Sequence, residues 1–129
     1  MTRFWVRIEH VMDIVLDCLS LMQGGEIFVP KMKNMRVADV IKLLAPECTF
    51  DDVGIRPGEK LHETLITVHE TRRAKELARV YVIQPEFGST DIDTEWLKAK
   101  RGLPENFHYR SHNKKFKLTK KDAKAIFTK

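Results

Sequence analysis

Arg56 opens a stiff turn whose residue types suit the binding of a diphosphate. It begins Arg56-Pro57-Gly58-Glu59 within the stretch VGIRPGEKLHETL, residues 53–65. Proline pushes the preceding residue toward an extended conformation, and glycine permits a positive φ or a close backbone approach. A guanidinium fork matches phosphate oxygens two at a time, and Glu59 can accept a hydrogen bond from a ribose hydroxyl or pair with a cation. The alternative is a strand-to-helix connector with an ordinary surface arginine.

Two further stretches collect polar side chains beside aromatic or basic neighbours. Arg3 lies in TRFWV, which suits a base-plus-phosphate ligand and equally the edge of a hydrophobic core. The stretch YRSHNKK gathers hydrogen-bond donors and acceptors at Ser111, His112, Asn113 and Lys114. Clusters of this kind line ligand pockets and are also common in exposed tails.

The usual cofactor and catalytic motifs are absent from the sequence. There is no glycine-rich dinucleotide loop, no GxxxxGK[ST] and no serine in a nucleophile elbow. Neither Tyr81 nor Tyr109 has a lysine four residues later, and no histidine pair has a metal-ligand spacing with a third ligand. The residues therefore predict a binding surface, and no metal-binding residue.

Length, hydropathy and charge favour one soluble, cytoplasmic domain. The chain has 129 residues and no apolar run near the ~20 residues of a membrane helix. Cys18 is expected to be a packed thiol. From Lys98 onward, eleven basic residues oppose only Glu105 and Asp122, so this segment carries +9 and the remainder −4. Such a segment suits the binding of nucleic acid or another anionic partner. The alternative is the solvated face of a short helix.

Hydrophobic periodicity predicts the elements that position these residues. Helices are expected at 8–22, ended by Gly24 and Gly25, and at 37–45, and strands at 26–30 and 80–85.

The Arg56 turn is expected between a strand at 48–55 and a helix from Lys60, whose first N–H groups would assist anion binding. Residues 67–79 and 94–101 are predicted to form further helices. Thr119 and Asp122 have capping-box spacing and predict the start of a last helix. This helix could dock through Ala123, Ile126 and Phe127.

Four stretches taken together resemble a known family: MTRFWV, GGEIFVPKM, VGIRPGEKLHETL and YRSHN. They resemble the C-terminal part of the inverting UDP-N-acetylglucosamine 4,6-dehydratases, NADP-dependent extended short-chain dehydrogenase/reductases of pseudaminic acid and surface-polysaccharide biosynthesis. The resemblance covers essentially the whole chain and is looser after Pro85. It implies an α/β fold, an α+β lobe with a small mixed sheet and flanking helices, lacking the Rossmann domain. Residues 1–85 would form the UDP-sugar-binding lobe, and 86–129 a C-terminal extension of the same lobe.

The resemblance also implies roles for individual residues. Arg3 and Arg56 match the arginines that hold UDP, and Glu59 is assigned only as a partner for a ribose or an arginine. A substrate-contacting segment near the C-terminal end of the family's enzymes matches Ser111, His112, Asn113 and Lys114. At Lys114 the family has an asparagine instead. No catalytic or cofactor-binding residue is implied, because NADP and the catalytic Tyr, Lys and Asp belong to the missing Rossmann half.

The function implied is that of a UDP-sugar-binding fragment that does not catalyse by itself. In the family, NADP takes hydride from C4 of the sugar, water leaves across C5 and C6, and hydride returns to C6 with inversion at C5. The implied partners are a UDP-sugar, the Rossmann half as part of the same or a separate polypeptide, and further copies of the chain. The alternatives are a non-enzymatic basic module that binds nucleic acid through residues 98–129, which no recognisable motif supports, and a vestigial product that exposes apolar surface.

Overall fold

The computed structural model describes residues 1–86 and 100–127. In chain order the strands are β1 Thr2–Trp5, β2 Ile27–Pro30, β3 Lys33–Arg36, β4 Thr64–Ile66, β5 Ala74–Glu76, β6 Val80–Ile83, β7 Arg101–Gly102 and β8 Tyr109–Arg110. The helices are α1 Ile8–Leu21, α2 Val37–Leu44, α3 Val68–Thr71 and α4 Lys120–Phe127, with a 3₁₀ turn at Lys114–Phe116. No helix in these two described ranges has the length and apolar character needed to cross a membrane.

The chain forms two compact units, each assembled from segments that are distant in the sequence. Unit 1 combines Met1–Arg7, Met32–Thr64 and Arg110–Lys129, and unit 2 combines Ile8–Lys31 and Leu65–Tyr109. Residues after position 85 therefore contribute to both units. Every residue singled out above for ligand binding belongs to unit 1.

Unit 1 is built on the antiparallel pair β1 and β3, in which Arg3 lies opposite Met35. Its core consists of residues from β3, α2 and the C-terminal segment: Met35, Val40, Leu118 and Ala123, with Trp5, Leu43, Ile126 and Phe127 packed against them. The rings of Trp5 and Phe127 meet edge to face at 5.1 Å.

The predicted last helix is confirmed as α4, and its docking residues do pack against the core of unit 1. The predicted cap is also confirmed, because the Thr119 hydroxyl accepts a hydrogen bond from the backbone N–H of Asp122 at 3.1 Å. The predicted second helix is confirmed as α2.

Unit 2 is a four-stranded antiparallel sheet of order β2-β6-β5-β7 with α1 against it. All four residues of β6 are buried, as expected of an interior strand. The predicted strands at 26–30 and 80–85 are confirmed as β2 and β6. Cys18 packs against a cluster of Ile14, Val80 and Val82, and desolvation, followed by the charge of Asp17, raises the pKa of its thiol. The predicted packed thiol is thus confirmed.

The predicted first helix is confirmed as α1, but most of its apolar residues lie at the surface. Gly24 and Gly25 follow it with φ of +129° and +77°, as the predicted glycine stop requires. Of the helix only Ile14 is buried. The exposed apolar residues of α1 are 47–68% accessible: Ile8, Met12, Val15, Leu16 and Leu19. Periodicity therefore identified the helix, whereas the sheet of unit 2 covers only a narrow part of its apolar stripe.

Three predicted elements are wrong, because strand pairing depends on distant partners and not on local preference alone. Residues 48–55 form no strand; Phe50, Val53 and Ile55 are exposed, and no strand in the described part of the chain pairs with them. No helix begins at Lys60, since residues 59–63 are turn and coil that lead into β4.

The helix predicted at 67–79 is reduced to α3, because β5 pairs with β6 instead. A capping box between Thr67 and Glu70 starts α3. Of the helix predicted at 94–101, residues 94–99 lie outside the described ranges, and Arg101 begins β7.

Candidate functional site

The Arg56 turn is a tight reverse turn closed at both ends. The backbone N–H of Glu59 donates to the carbonyl of Arg56 at 3.0 Å, and the backbone N–H of Arg56 donates to Glu59 Oε2 at 3.3 Å. Pro57 occupies the second position and Gly58 the third, where its φ of +80° is that of a type II turn. No atom lies within 4 Å of a Cβ built on Gly58, so the positive φ, and not a close approach, requires glycine here.

Arg3 is held at the edge of this turn by four oxygen acceptors. Its Nη1 donates to the carbonyls of Thr2 at 2.8 Å and Leu61 at 3.5 Å. Its Nη2 lies 3.7 Å from Glu59 Oε1, and its Nε lies 3.5 Å from Glu63 Oε1. The two oxygens of Glu59 thus contact the Arg3 guanidinium on one side and the Arg56 backbone on the other. One carboxylate therefore brings Arg3 and the Arg56 turn together.

The Arg56 side chain differs from Arg3 because it remains available to a ligand. It is exposed, and it makes no ion pair with any residue in the described ranges. The helix N-terminus expected after the turn is missing, so backbone N–H groups of a helix do not contribute to anion binding at this place. The exposed cation of Arg56 is therefore the main feature of this turn that suits phosphate.

Ser111 lies at the centre of a hydrogen-bond cluster beneath Arg3. It is fully buried, and its Oγ lies 2.7 Å from Thr2 Oγ1 and 3.1 Å from the Thr2 carbonyl oxygen. The backbone N–H of Glu63 donates to the same Oγ at 2.8 Å, while the backbone N–H of Ser111 donates to the Glu63 carbonyl at 2.9 Å. This hydroxyl is therefore occupied entirely by protein groups.

His62 and His112 form a ring pair next to this cluster. Their centroids are 4.6 Å apart with the planes tilted by 42°, and His62 Nδ1 lies 2.8 Å from Thr2 Oγ1. Partial desolvation lowers the pKa of His62 below its ordinary 6.5, and the charges of His112, the N-terminal amine and Arg3 lower it further. The neutral ring is thus the favoured form of His62 near neutral pH.

Asn113 fixes the backbone that follows this pair, and Lys114 points to solvent. The Asn113 side-chain oxygen accepts from the backbone N–H of Lys115 at 3.0 Å and so caps the 3₁₀ turn. Its carbonyl accepts from the side-chain amide of the buried Asn34 at 2.8 Å. His112 and Lys114 are exposed. Within the described ranges no group of three or more metal-binding side chains is present.

Several residues of this cluster escaped the interpretation of the sequence. They are Thr2, Asn34, His62 and Glu63. Two of them belong to the stretch GEKLHE and one precedes Arg3, so proximity to the motifs was an available signal. No signal in the sequence indicated that these residues converge, since Thr2 and Ser111 are 109 positions apart.

The comparisons with known proteins agree with this arrangement. A family model described as polysaccharide biosynthesis protein matches residues 1–85, which include Arg3, Arg56 and Glu59. The chain belongs to the polysaccharide biosynthesis protein family. Within this family, the UDP-N-acetylglucosamine 4,6-dehydratase (inverting) of Campylobacter jejuni is 36% identical over 118 residues, which cover 88% of this chain and 35% of the relative. The predicted resemblance is thereby confirmed.

Other members of the polysaccharide biosynthesis family and a solved structure extend the comparison. The capsular polysaccharide biosynthesis protein CapD of Staphylococcus aureus is 34% identical over 89 residues, 63% of this chain and 15% of the relative. The X-ray structure of Pen from Bacillus thuringiensis matches 98% of this chain and 38% of its own, with a TM-score of 0.77 and 22% identity. The expected mixed α/β fold of small sheets and flanking helices is confirmed. The chain spans about a third of the length of the dehydratases it matches (35%).

The lowered pKa of His62 predicts a pH-dependent stability for this family member. Between the lowered pKa and 6.5, the unfolded chain binds more protons at His62 than the folded chain does, so acidification favours unfolding. We expect the free energy of unfolding to fall as the pH drops through 6.5, and this part of the dependence to disappear in His62→Asn. Urea unfolding from pH 7.5 to 5.0 measures it. His10→Asn, at an exposed ring on α1, is the control, and an equal change in both variants contradicts the prediction.

Proposed function

We propose that this chain is the UDP-sugar-binding part of an NADP-dependent, C5-inverting UDP-N-acetylglucosamine 4,6-dehydratase. Its pathway is nucleotide-sugar synthesis for a surface polysaccharide or a flagellin glycan. The relationship to the Campylobacter jejuni dehydratases supports the reaction class. The observation that carries the proposal is the shared carboxylate of Glu59, which puts the Arg3 guanidinium and the Arg56 turn at one place in unit 1.

The diphosphate of UDP is bound by the two arginines from different directions. Arg56 is exposed and makes no ion pair within residues 1–86 and 100–127, and its planar fork matches two phosphate oxygens. Arg3 is only 25% exposed and already has carboxylate partners at 3.5 and 3.7 Å, distances at which an ion pair at the surface is weak. Phosphate oxygens replace these partners on Arg3, and the released Glu59 accepts a hydrogen bond from a ribose hydroxyl.

The segment after Ser111 extends the site beyond the diphosphate. His112 and Lys114 are exposed and carry N–H donors, so both can reach oxygens of the bound nucleotide-sugar. Asn113 contributes mainly through its backbone position, because its side-chain oxygen caps the 3₁₀ turn. These three residues complete the set of substrate contacts on this chain.

The role of the chain in the reaction is to position the substrate. The sequence has no glycine-rich loop, so these 129 residues do not fit NADP, and the cofactor is held by a Rossmann half in the same or a separate polypeptide. Binding energy from the UDP moiety fixes the sugar relative to the reacting groups, and such remote binding lowers the barrier of the chemical step. The partners are thus a UDP-sugar, the Rossmann half and further copies of the chain.

Calorimetric titration of the 129-residue chain with UDP, UDP-N-acetylglucosamine and a single-stranded oligonucleotide tests the proposal. We expect UDP and UDP-N-acetylglucosamine to bind with similar affinity, because the proposed contacts are to the nucleotide. The oligonucleotide should not displace either ligand at 150 mM salt, a concentration at which exposed charges are screened beyond about 8 Å.

Two results contradict this function. Displacement of UDP by the oligonucleotide, with an affinity that falls steeply with salt, identifies a nucleic-acid-binding module. A poorly soluble chain that binds none of the three ligands favours a vestigial product. The comparisons lend no support to the nucleic-acid alternative.

A further inference from the structure

We propose that Ser111 and Thr2 are positioning residues that hold Arg3 in place, and that Ser111 is not a ligand of the substrate. The proposal rests on the proposed function for the identity of the ligand. Its geometry rests on hydrogen bonds within unit 1 alone.

The Ser111 hydroxyl has no capacity left for a substrate. A serine hydroxyl offers one proton and two lone pairs. Its proton goes to the Thr2 carbonyl at 3.1 Å, and one lone pair accepts the backbone N–H of Glu63 at 2.8 Å. The second lone pair is then left to the Thr2 hydroxyl, whose Oγ1 lies 2.7 Å from Ser111 Oγ and 2.8 Å from His62 Nδ1. Every group is satisfied, and the Ser111 side chain has no exposed surface.

The Thr2 carbonyl links this cluster directly to Arg3. It accepts from Ser111 Oγ and also from Arg3 Nη1, at 3.1 and 2.8 Å. A carbonyl oxygen has two lone pairs, so these two donors occupy it fully. The Ser111 hydroxyl therefore acts on the same carbonyl oxygen that binds the Arg3 guanidinium, in a strand that pairing with β3 already orients.

The other acceptors of Arg3 are held by the same two residues. Leu61, whose carbonyl accepts from Arg3 Nη1, also accepts the backbone N–H of Thr2 at 2.9 Å. Glu63, whose carboxylate lies against Arg3 Nε, donates its backbone N–H to Ser111 Oγ and accepts the backbone N–H of Ser111 at its carbonyl. Glu59 is the exception, since it is fixed by the Arg56 turn. Three of the four acceptors of Arg3 thus depend on Thr2 and Ser111.

Ser111→Ala removes the donor to the Thr2 carbonyl directly, whereas Thr2→Val acts indirectly, by removing the hydroxyl that holds Ser111 Oγ. Both changes should loosen Arg3 without removing a proposed ligand contact. Thr2→Val keeps the shape of the side chain and its preference for a strand, but it removes the hydrogen bonds to Ser111 and His62. Thr2→Ser restores the hydroxyl. Loss of a buried hydrogen bond of this kind should weaken binding of UDP by about three- to tenfold.

The experiment compares Thr2→Val, Thr2→Ser, Ser111→Ala and Thr119→Val in the 129-residue chain. Thr119→Val removes the cap of α4 in the same unit, so it controls for a general loss of stability. The readouts are the Kd for UDP and the NMR signal of the Arg3 Nε–H group, assigned with Arg3→Lys. We expect Thr2→Val and Ser111→Ala to shift or broaden the Arg3 signal and to weaken UDP binding. Thr2→Ser and Thr119→Val should preserve both.

The outcomes separate this proposal from the proposed function. If Arg3→Lys weakens UDP binding while Thr2→Val changes neither the Arg3 signal nor the Kd, the positioning role is wrong and the UDP site stands. If Thr2→Val weakens binding with the Arg3 signal unchanged, Thr2 and Ser111 contact the ligand and the proposal is overturned.

If neither the parent chain nor any variant binds UDP, the proposed function fails. The NMR signal of Arg3 then still decides the positioning role, through a comparison of Thr2→Val with Thr2→Ser. If Ser111→Ala does not fold, the Thr2 pair carries the test.

Discussion

Arg56→Ala should lower the affinity of the chain for UDP by about tenfold or more, the largest binding effect expected of a single substitution. A hydrogen bond to a charged group contributes about 1.5–3 kcal/mol, and each 1.4 kcal/mol is about tenfold in Kd. Arg56 is exposed and makes no ion pair with the described residues, so the substitution breaks no ion pair among them. The loss should therefore appear in binding and leave the free energy of unfolding nearly unchanged.

Two further variants make the Arg56 prediction specific. Arg56→Lys keeps the charge and removes the planar fork, so its affinity should lie between those of the parent and Arg56→Ala. Arg72→Ala removes an exposed arginine from unit 2, and it changes the net charge by the same amount. Calorimetric titration at constant salt measures all three. An equal loss of affinity in Arg56→Ala and Arg72→Ala would show that only the overall charge matters.

Leu118→Ala should destabilise the chain by about 2–5 kcal/mol, the range for a buried leucine reduced to alanine. Leu118 is 3% exposed and packs with Met35, Val40 and Ala123 in the core of unit 1. Its backbone N–H also donates to the carbonyl of the buried Asn34 at 2.8 Å, next to the segment that carries Asn113. A cavity here therefore loosens the unit that contains all the proposed ligand residues.

A leucine at the surface provides the matched control for Leu118. Leu16 on α1 is 63% exposed, and Leu16→Ala should change the free energy of unfolding by less than about 0.5 kcal/mol. Urea unfolding at pH 7.5 measures both variants, and UDP binding at low denaturant shows whether the site is lost with the core. Equal effects at the two positions would mean that the apolar face of α1 is buried in solution.

The local signals of the sequence were sufficient for the elements whose stability depends on nearby residues. The repeat of apolar residues predicted α1 and α2, and the β-branched run at 80–83 predicted β6. Thr119 with Asp122 predicted the start of α4, and Pro57 with Gly58 predicted a tight turn. In each case the deciding interaction joins residues a few positions apart, so the sequence shows it directly.

The failures occur where the outcome depends on a distant partner. Residues 48–55 have the composition of a strand but find no strand to pair with, whereas residues 74–76 join β6 as β5 despite a helical pattern. The apolar stripe of α1 was recognised, yet the sheet of unit 2 covers only the side that contains Ile14. Propensity cannot anticipate these results, because pairing and burial are properties of the assembled chain.

The site divides in the same way between sequence and tertiary structure. The sequence by itself determined which residue types and motifs are present, the tight turn after Arg56, and the resemblance to the dehydratases; the binding roles of Arg3, Arg56, His112, Asn113 and Lys114 stay predictions. Only the tertiary structure decided that Glu59 joins Arg3 to the Arg56 turn, and that Ser111 is enclosed by Thr2 and Glu63. The physical reason is that these hydrogen bonds close loops of about 50 to 110 residues, and nothing in the local sequence specifies which polar groups will meet.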